Sequence, residues 1–143
     1  MKLKQISVFL ENRPGILAEL TTLLGDYGIN IRALSITESR EFGVIRMIVH
    51  DPISAAKLLH EKGYSIQEVE VLAVEVADEP GTLGKVLNEL AKEHLNIDYA
   101  YTFMNKLANN AIIVLRVDNL DFACSVLSKN KFKLLSQKDF LKL

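Results

Sequence analysis

The sequence repeats itself, and this duplication limits the possible folds more than any other feature. Sliding the chain by 66 residues aligns residues 11–31 with residues 77–97. Added residues in later turns move the offset to 67 and then 68, where Leu59 matches Leu127 and Tyr64 matches Phe132. Insertions of this kind accumulate in loops. A repeat at a fixed period is the signature of one structural unit present more than once, so we expect one fold, twice. The identical pairs in the first alignment are Pro14/Pro80, Gly15/Gly81, Leu17/Leu83, Leu24/Leu90, Asn30/Asn96 and Ile31/Ile97.

The first half of each copy alternates between the strand period and the helix period. Apolar residues recur at every second position in residues 4–10 and again in residues 70–76, which predicts a strand in each copy. A Pro-Gly pair follows, and the next apolar residues recur at helical spacing. Gly28 lies just past the first helical stripe and is a plausible helix stop. Each copy is therefore predicted to begin with a strand and then a helix.

The second half of each copy contains a hairpin, a helix and a short strand. The predicted hairpins pair runs near residues 31–38 and 43–50, and near 97–104 and 111–117, with turns at 39–42 and 109–110. A second helix is predicted after Asp51-Pro52 or Asp118-Asn119, where aspartate can cap free backbone N–H groups. Short strands near residues 64–67 and 132–136 close the copies.

The predicted order is strand, helix, strand, strand, helix, strand, twice. This order defines the ferredoxin-like βαββαβ unit. We therefore predict an α+β protein of two tandem ferredoxin-like domains, residues 1–68 and 69–143. Each domain should have an antiparallel sheet with helices on one face.

Composition excludes several classes of protein. The formal net charge is −1 and the sequence pI is about 6.3, which disfavours nucleic acid as a partner because phosphate binding normally needs a basic surface. The longest uninterrupted apolar run covers only residues 111–115, far short of the roughly 20 residues that span a bilayer. The N-terminus alternates like a strand and lacks the pattern of a secretory signal. We expect a cytosolic protein that does not bind membranes.

Catalytic and metal sites have few candidates. His50, His60 and His94 lack the spacing of metal ligands, and the sequence contains none of the common nucleophile, phosphate-loop or dinucleotide motifs. The one cysteine, Cys124, cannot form an internal disulfide and lies among apolar residues typical of a core. We therefore expect no catalytic residues, no metal and no cofactor.

The two Pro-Gly corners are the candidate binding sites. Free N–H groups at a helix N-terminus, together with the helix dipole, attract an anion such as an α-carboxylate. Gly15-Ile16-Leu17 and Gly81-Thr82-Leu83 supply such groups. Glycine lets a ligand approach the backbone. The same residues are also compatible with ordinary turn chemistry, and Asn30 and Asn96 with a simple turn into the next strand.

The residues of these corners resemble those of the ACT-domain family. The resemblance rests on the residues 11–17 (Glu-Asn-Arg-Pro-Gly-Ile-Leu) and 28–31 (Gly-Ile-Asn-Ile), on their second copies at 77–83 and 95–97, and on the βαββαβ order. It implies a regulatory module that binds an amino acid between paired domains. The ligand-binding residues that it implies are Leu10, Asn12, Arg13, Pro14, Gly15, Ile16, Leu17, Asn30, Ile31, Asp78, Gly81, Thr82, Leu83, Asn96 and Ile97.

Asn12 and Asn30 are similar in spacing to the asparagine pair of the serine-binding ACT domain of phosphoglycerate dehydrogenase. That domain has histidine where this chain has Leu10, which implies a more apolar pocket here. In the second copy Asp78-Glu79 replaces Asn12-Arg13, so the two loops differ in charge and their sites cannot be equivalent. The Asn12 loop is the better candidate.

The resemblance implies a regulatory protein of amino-acid metabolism and not an enzyme. The hypothesis is that a small effector, most simply an amino acid, binds at the interface between paired domains. Uncovered sheet faces carrying apolar residues suggest a homodimer. The alternative is a regulatory subunit of a separate biosynthetic enzyme such as acetolactate synthase, which acts mainly through contacts with its catalytic partner.

Overall fold

The computed structural model describes residues 1–38, 41–105 and 108–143 of the chain, which divides into two units. The N-terminal unit contains Lys4–Val69, and the C-terminal unit contains Glu70–Leu143 together with Met1–Leu3. Lys2 secures the first residues to the C-terminal unit, since its Nζ lies 2.8 Å from Asp121 Oδ1 and 3.4 Å from Glu70 Oε2. The predicted turn residues Ser39 and Arg40 lie outside the described residues.

The N-terminal unit has three antiparallel strands in the order β2-β3-β1. One face of this sheet packs against two helices: Ile6 and Val8 of β1 form a core with Leu20 and Leu24 of α1 and Leu59 of α2. This is the alternate-residue face that the sequence pattern predicts. The elements are β1 (Leu3–Glu11), α1 (Ile16–Asp26), β2 (Ile31–Glu38), β3 (Phe42–Val49), α2 (Pro52–Glu61) and the first residues of β4 (Ser65–Ala77).

The C-terminal unit repeats this arrangement with strands in the order β5-β6-β4-β7. Its core joins Leu72 and Val74 of β4 to Val86 and Leu90 of α3 and Leu127 of α4. Both units therefore have the predicted ferredoxin-like α+β fold. The remaining elements are α3 (Thr82–Lys92), β5 (Ile97–Asn105), β6 (Asn110–Val117), α4 (Leu120–Lys129), β7 (Lys133–Leu134) and α5 (Gln137–Leu141).

Two predicted strands differ from the observed ones. The closing strand of the first copy and the opening strand of the second are one continuous strand, β4 (Ser65–Ala77), because no Gly or Pro interrupts the chain there. The predicted strand at residues 132–136 shrinks to Lys133–Leu134. It ends early because Ser136 and Asp139 form a capping box that begins a short helix, α5.

Helix α5 was not predicted and lies on the other face of the C-terminal sheet. Its Phe140 is fully buried and packs edge-to-face on Phe103, with 5.2 Å between ring centroids. Phe103 pairs with Ile112, so the two side chains lie on the same face of the sheet. The next residue, Ile113, points to the opposite face, where α3 and α4 pack. The prediction of helices on one face therefore holds for the four longer helices, and α5 is an addition to it. None of the described helices is long and apolar enough to cross a bilayer.

The second helix of each copy is capped, although the residue that caps it differs. Asp51 caps α2 by accepting a hydrogen bond from the Ser54 N–H at 3.1 Å. Asn119, and not the predicted Asp118, caps α4 by accepting from the Phe122 N–H at 3.1 Å. The reason is position, because the capping side chain must come directly before the first helical residue. Asp118 instead accepts a hydrogen bond from the Asn96 N–H.

Hydrogen bonding to Ser54 holds the pKa of Asp51 below its ordinary value of 3.8. A depressed carboxyl pKa contributes stability above the unfolded-state value, and that contribution disappears as the pH falls through the folded-state value. Asp51→Asn keeps the capping acceptor, as Asn119 does in α4, but does not titrate. Between about pH 5 and about pH 2.5, urea unfolding should show a larger loss of stability for wild type than for the variant. Parallel losses would contradict the role assigned to Asp51.

A left-handed residue ends the first helix of each copy, and only one copy has glycine there. Gly28 has φ 73°, and the Ile29 N–H then donates to the Leu24 carbonyl at 2.8 Å. At the matching position His94 has φ 56°, with an equivalent 3.1 Å bond from the Leu95 N–H to the Leu90 carbonyl. The hydrogen bonds match those of a Schellman motif. His94 therefore adopts a backbone conformation that disfavours a side chain.

Replacing His94 with glycine should stabilise the fold. We expect His94→Gly to raise the free energy of unfolding by about 0.5–1 kcal/mol, since relief of strain exceeds the extra entropy of the unfolded chain. Urea denaturation measures this change. His60→Gly is the matched control: His60 lies in the last turn of α2, where glycine should destabilise by up to about 1 kcal/mol. Equal destabilisation by both substitutions would refute the assignment.

Candidate functional site

A cleft of about 300 Å³ opens in the N-terminal unit, where the start of α1 meets the sheet. It lies wholly within this unit and draws on the β1–α1 loop, the first turn of α1, and strands β2 and β3. Its volume falls at the lower end of the range for small-molecule sites. The lining residues are Leu10, Asn12, Arg13, Gly15, Ile16, Leu17, Ala18, Ile36, Gly43 and Ile45.

The Pro14-Gly15 corner shapes the entrance to α1. Gly15 is the N-cap residue and has φ 82° and ψ −8°, a left-handed conformation in which a side chain would be strained. The turn closes when the Glu19 N–H donates to the Gly15 carbonyl at 2.9 Å. A Cβ built on Gly15 would have nothing within 4 Å. The space beside this backbone is therefore open.

The helices that follow the Pro-Gly corners lack side-chain caps. In α1 and α3 the N-cap residues are Gly15 and Gly81, and no side chain caps either N-terminus. In contrast, side chains cap the other three described helices, namely those of Asp51, Asn119 and Ser136. The first N–H groups of a helix have no intrahelical acceptor. The start of α1 thus presents backbone donors and the positive end of its dipole where Leu17 and Ala18 line the cleft.

The cleft walls are mainly apolar, with polar groups at one end. Leu10 and Ile45 are buried, whereas Ile36 on the edge strand β2 remains 50% exposed. Arg13 Nη2 forms a 2.8 Å ion pair with Glu19 Oε2, and both side chains are about half exposed. An exposed pair of this kind stabilises the fold only weakly. The guanidinium keeps further N–H donors for a ligand.

Several residues that the sequence analysis proposed meet in this cleft: Leu10, Asn12, Arg13, Gly15, Ile16 and Leu17. Pro14 belongs to the same corner without lining the cleft. Asn30 and Ile31 lie beyond the other end of α1, whose 11 residues span about 16 Å. The Asn30 N–H donates to His50 Nδ1 at 3.0 Å, and the Asn30 carbonyl accepts from the His50 N–H at 3.1 Å. Asn12 and Asn30 of one unit therefore do not share this cleft.

In the C-terminal unit the proposed residues are more dispersed. Ile97 begins β5 beyond the end of α3, and Asn96 directly precedes it. Asn96 Nδ2 donates to Asp98 Oδ1 at 3.2 Å. Asp78 precedes the second Pro-Gly corner, where Gly81 has φ 89° and Leu83 follows in α3. Thr82 lines a separate cleft of about 250 Å³. None of the other five proposed residues of this unit lines that cleft.

Sequence reasoning missed the side of the cleft that the hairpin supplies. Ile36, Gly43 and Ile45 line that side and were not proposed, and neither was Ala18 in the first turn of α1. Ile36 pairs with Ile45, and Gly43 pairs with Leu10. The strand alternation could have placed these residues on one face, but only the register of the hairpin brings them next to α1.

The described residues contain no cluster of three or more His, Cys, Asp or Glu side chains that could hold a metal ion. His50 Nδ1 already accepts a hydrogen bond from the Asn30 N–H. Cys124 is partly buried and packs against the C-terminal core, where its Sγ lies 3.5 Å from the amino group of Met1.

Comparisons with known proteins agree with this architecture. The chain is 40% identical to protein BT0572 from Bacteroides thetaiotaomicron, with a TM-score of 0.93 and coverage of 100% of this chain and 98% of that one. The ligand-free regulatory subunit of aspartate kinase from Thermus thermophilus superposes with a TM-score of 0.64 at 15% identity, over 88% of this chain and 91% of that one. At that identity the likeness shows the fold alone. No curated protein matches the sequence significantly.

The family model described as an ACT domain pair matches residues 1–143. This match covers both units, and it includes the Pro-Gly corners and the βαββαβ order on which the resemblance in the sequence rests. The chain therefore belongs to the ACT-domain family, as a pair of ACT domains in tandem.

Proposed function

We propose that the cleft of the N-terminal unit binds a free amino acid with an apolar side chain, and that the protein thereby regulates amino-acid metabolism. The observation that carries this proposal is the uncapped N-terminus of α1 at one end of an open cleft with apolar walls. An apolar amino acid is complementary to such a cleft, because it has a carboxylate for the helix N-terminus and an aliphatic side chain for the apolar walls. Membership of a regulatory domain family supports the same conclusion.

Each part of the ligand has a matching group in the cleft. The α-carboxylate accepts from the backbone N–H groups at Leu17 and Ala18, where the helix dipole favours a negative charge. The amide of Asn12 can accept from the ammonium group, and Arg13 can add a charge-assisted bond to the carboxylate. The side chain then packs against Leu10, Ile16 and Ile36. This arrangement favours leucine, isoleucine or valine over serine.

Regulation follows only if the ligand favours one state of the protein. A ligand shifts an equilibrium by its differential affinity for the two states. We propose that this state is an assembly in which a second copy of the chain covers the open side of the cleft and can bring its own Asn30 to the ligand. An amino acid of roughly ten heavy atoms gives a dissociation constant between about micromolar and millimolar. The homodimer and the cytosolic location remain predictions.

The second candidate function is that of a regulatory subunit, and we propose no catalytic activity for the chain itself. A regulatory subunit of aspartate kinase shares the fold. The alternative hypothesis from the sequence is a regulatory subunit of an enzyme such as acetolactate synthase. In that case the main task would be binding a catalytic partner. Stoichiometric recovery of one large biosynthetic enzyme with the native protein, without any amino-acid binding, would favour this candidate.

A thermal-shift panel of the common amino acids tests the proposed ligand. At about 100 times its dissociation constant, a true ligand stabilises the folded state by about 2.7 kcal/mol. This free energy should raise the melting temperature by several degrees. We expect leucine, isoleucine or valine to give the largest shift. No shift across a millimolar panel would contradict the amino-acid proposal.

Two asparagine variants locate the binding site. Asn12→Ala removes a polar anchor from the cleft and should weaken binding about tenfold or more, since hydrogen bonds to charged groups are worth about 1.5–3 kcal/mol. Asn88→Ala is the matched control, because Asn88 is exposed on α3 in the other unit. Isothermal titration of both variants measures the two affinities. Equal affinities would exclude the cleft as the site.

A further inference from the structure

The second cleft, in the C-terminal unit, has a strongly basic lining. Its volume is about 250 Å³, and its lining includes Lys85 of α3, Lys131 between α4 and β7, and Lys133 of β7. One carboxylate, that of Glu75, also belongs to the lining. Three lysines and one glutamate leave two positive charges in excess. Such a charge balance attracts anions.

One of the three lysines is already held in place. Lys133 Nζ lies 2.6 Å from Glu75 Oε2, and the Glu75 side chain is only 4% exposed. Asn110 Nδ2 also donates to Glu75 Oε1 at 3.2 Å. The hydrogen bond to Glu75 and the charge of this carboxylate raise the pKa of Lys133, with a smaller contribution from the charge of Asp139. The Glu75 carboxylate is thus engaged by its neighbours, and it fixes the Lys133 ammonium group at the cleft.

The other two lysines have no ion pair. In the described parts of the chain no carboxylate lies within 4.0 Å of the ammonium group of Lys85 or of Lys131. Both side chains are exposed. Their charges are therefore available to a ligand that enters the cleft.

The three lysines of this cleft occur only in the second copy of the repeat. Lys85 replaces Glu19, Lys131 replaces Gly63 and Lys133 replaces Ser65 at the matching positions of the first copy. Among the residues that line the cleft, only one change adds a negative charge, the replacement of Phe9 by Glu75. At this place the second copy therefore carries more positive charge than the first, on the same fold.

Lys131 also occupies a backbone conformation that suits glycine. Its φ is 64°, and Gly63 in the first copy has φ 83°. Both corners end their helix with the same 3.0 Å bond, from Phe132 N–H to the Leu127 carbonyl and from Tyr64 N–H to the Leu59 carbonyl. Lysine is strained in a position where glycine is not. The second copy therefore keeps lysine at this corner despite a backbone strain that glycine avoids in the first copy.

We propose that this basic cleft binds a small dianion of the phosphate class, either inorganic phosphate or the phosphoryl group of a small metabolite. The two unpaired ammonium groups match the charge of about −1.5 to −2 on a phosphate monoester at neutral pH. The volume admits a small ion or metabolite and not a macromolecule. This site is independent of the amino-acid cleft, which belongs to the other unit.

Phosphate titration of the full chain tests the proposal. Sodium phosphate is added at constant ionic strength, with chloride as the reference salt, and the backbone amide shifts of Lys131 and Lys133 are followed by NMR. We expect saturable shifts in the millimolar range. A second titration with glycerol 3-phosphate identifies the source of the anion: tighter binding indicates a metabolite, and weaker binding indicates free phosphate. Shifts that are linear and equal to those with chloride would overturn the proposal.

Lys131→Gly separates loss of the site from loss of the fold. The substitution removes a charge and also relieves backbone strain, so phosphate affinity should fall about fivefold while the urea midpoint rises. Lys85→Gln should weaken binding similarly. Lys92→Gln is the control, since Lys92 pairs with Glu89 outside the cleft. An unchanged affinity in both Lys131→Gly and Lys85→Gln would overturn the proposal, whatever their stability.

Discussion

The candidate site depends on the left-handed backbone of Gly15. This conformation turns the chain from β1 into α1 without a capping side chain. The Ile16 N–H donates to the Arg13 carbonyl at 3.4 Å, whereas the N–H groups of Leu17 and Ala18 have no intrahelical acceptor. A serine or aspartate cap would satisfy these donors and fill the space beside them, as Asp51 does at α2. The N-terminus of α1 therefore lacks the stabilisation of a capping side chain. In the proposed function a ligand carboxylate accepts the hydrogen bonds that such a cap would accept.

Duplication kept the backbone and changed the chemistry around it. Gly15 and Gly81 have nearly the same φ, and both helices end in matching left-handed corners. The charges differ: Arg13 pairs with Glu19 in the first copy, whereas Glu79 and Lys85 occupy these positions in the second. Apolar cores determine the fold in both copies. Surface charges were free to diverge, so one fold can present two different clefts.

Much of the fold could be predicted from the sequence because its periods are clear. The alternation of Ile6, Val8 and Leu10 and the helical spacing of Leu17, Leu20 and Leu24 gave the correct elements. Helix α5 was missed because five residues carry too little periodicity. Only the capping sequence Ser136–Asp139 indicated it.

Only the part of the cleft formed by the β1–α1 loop and the start of α1 could be predicted from the sequence. Residues 12–17 lie together because they are consecutive. Ile36 and Ile45 reach the same cleft through strand pairing, and a one-residue change in register would turn them to the opposite face. The resemblance to the serine-binding ACT domain implied that Asn30 or Asn96 joins Asn12 at a ligand, but within the N-terminal unit an entire helix separates Asn12 from Asn30.

The most direct measurement of the central claim is an NMR titration of the full chain with L-leucine, following backbone amide shifts. If the start of α1 receives the carboxylate, the largest saturable shifts should be at Gly15, Leu17 and Ala18, with little change at the capped start of α2. Saturable binding that leaves these three amides unchanged would contradict the account, because the ligand would then lie away from the open helix N-terminus.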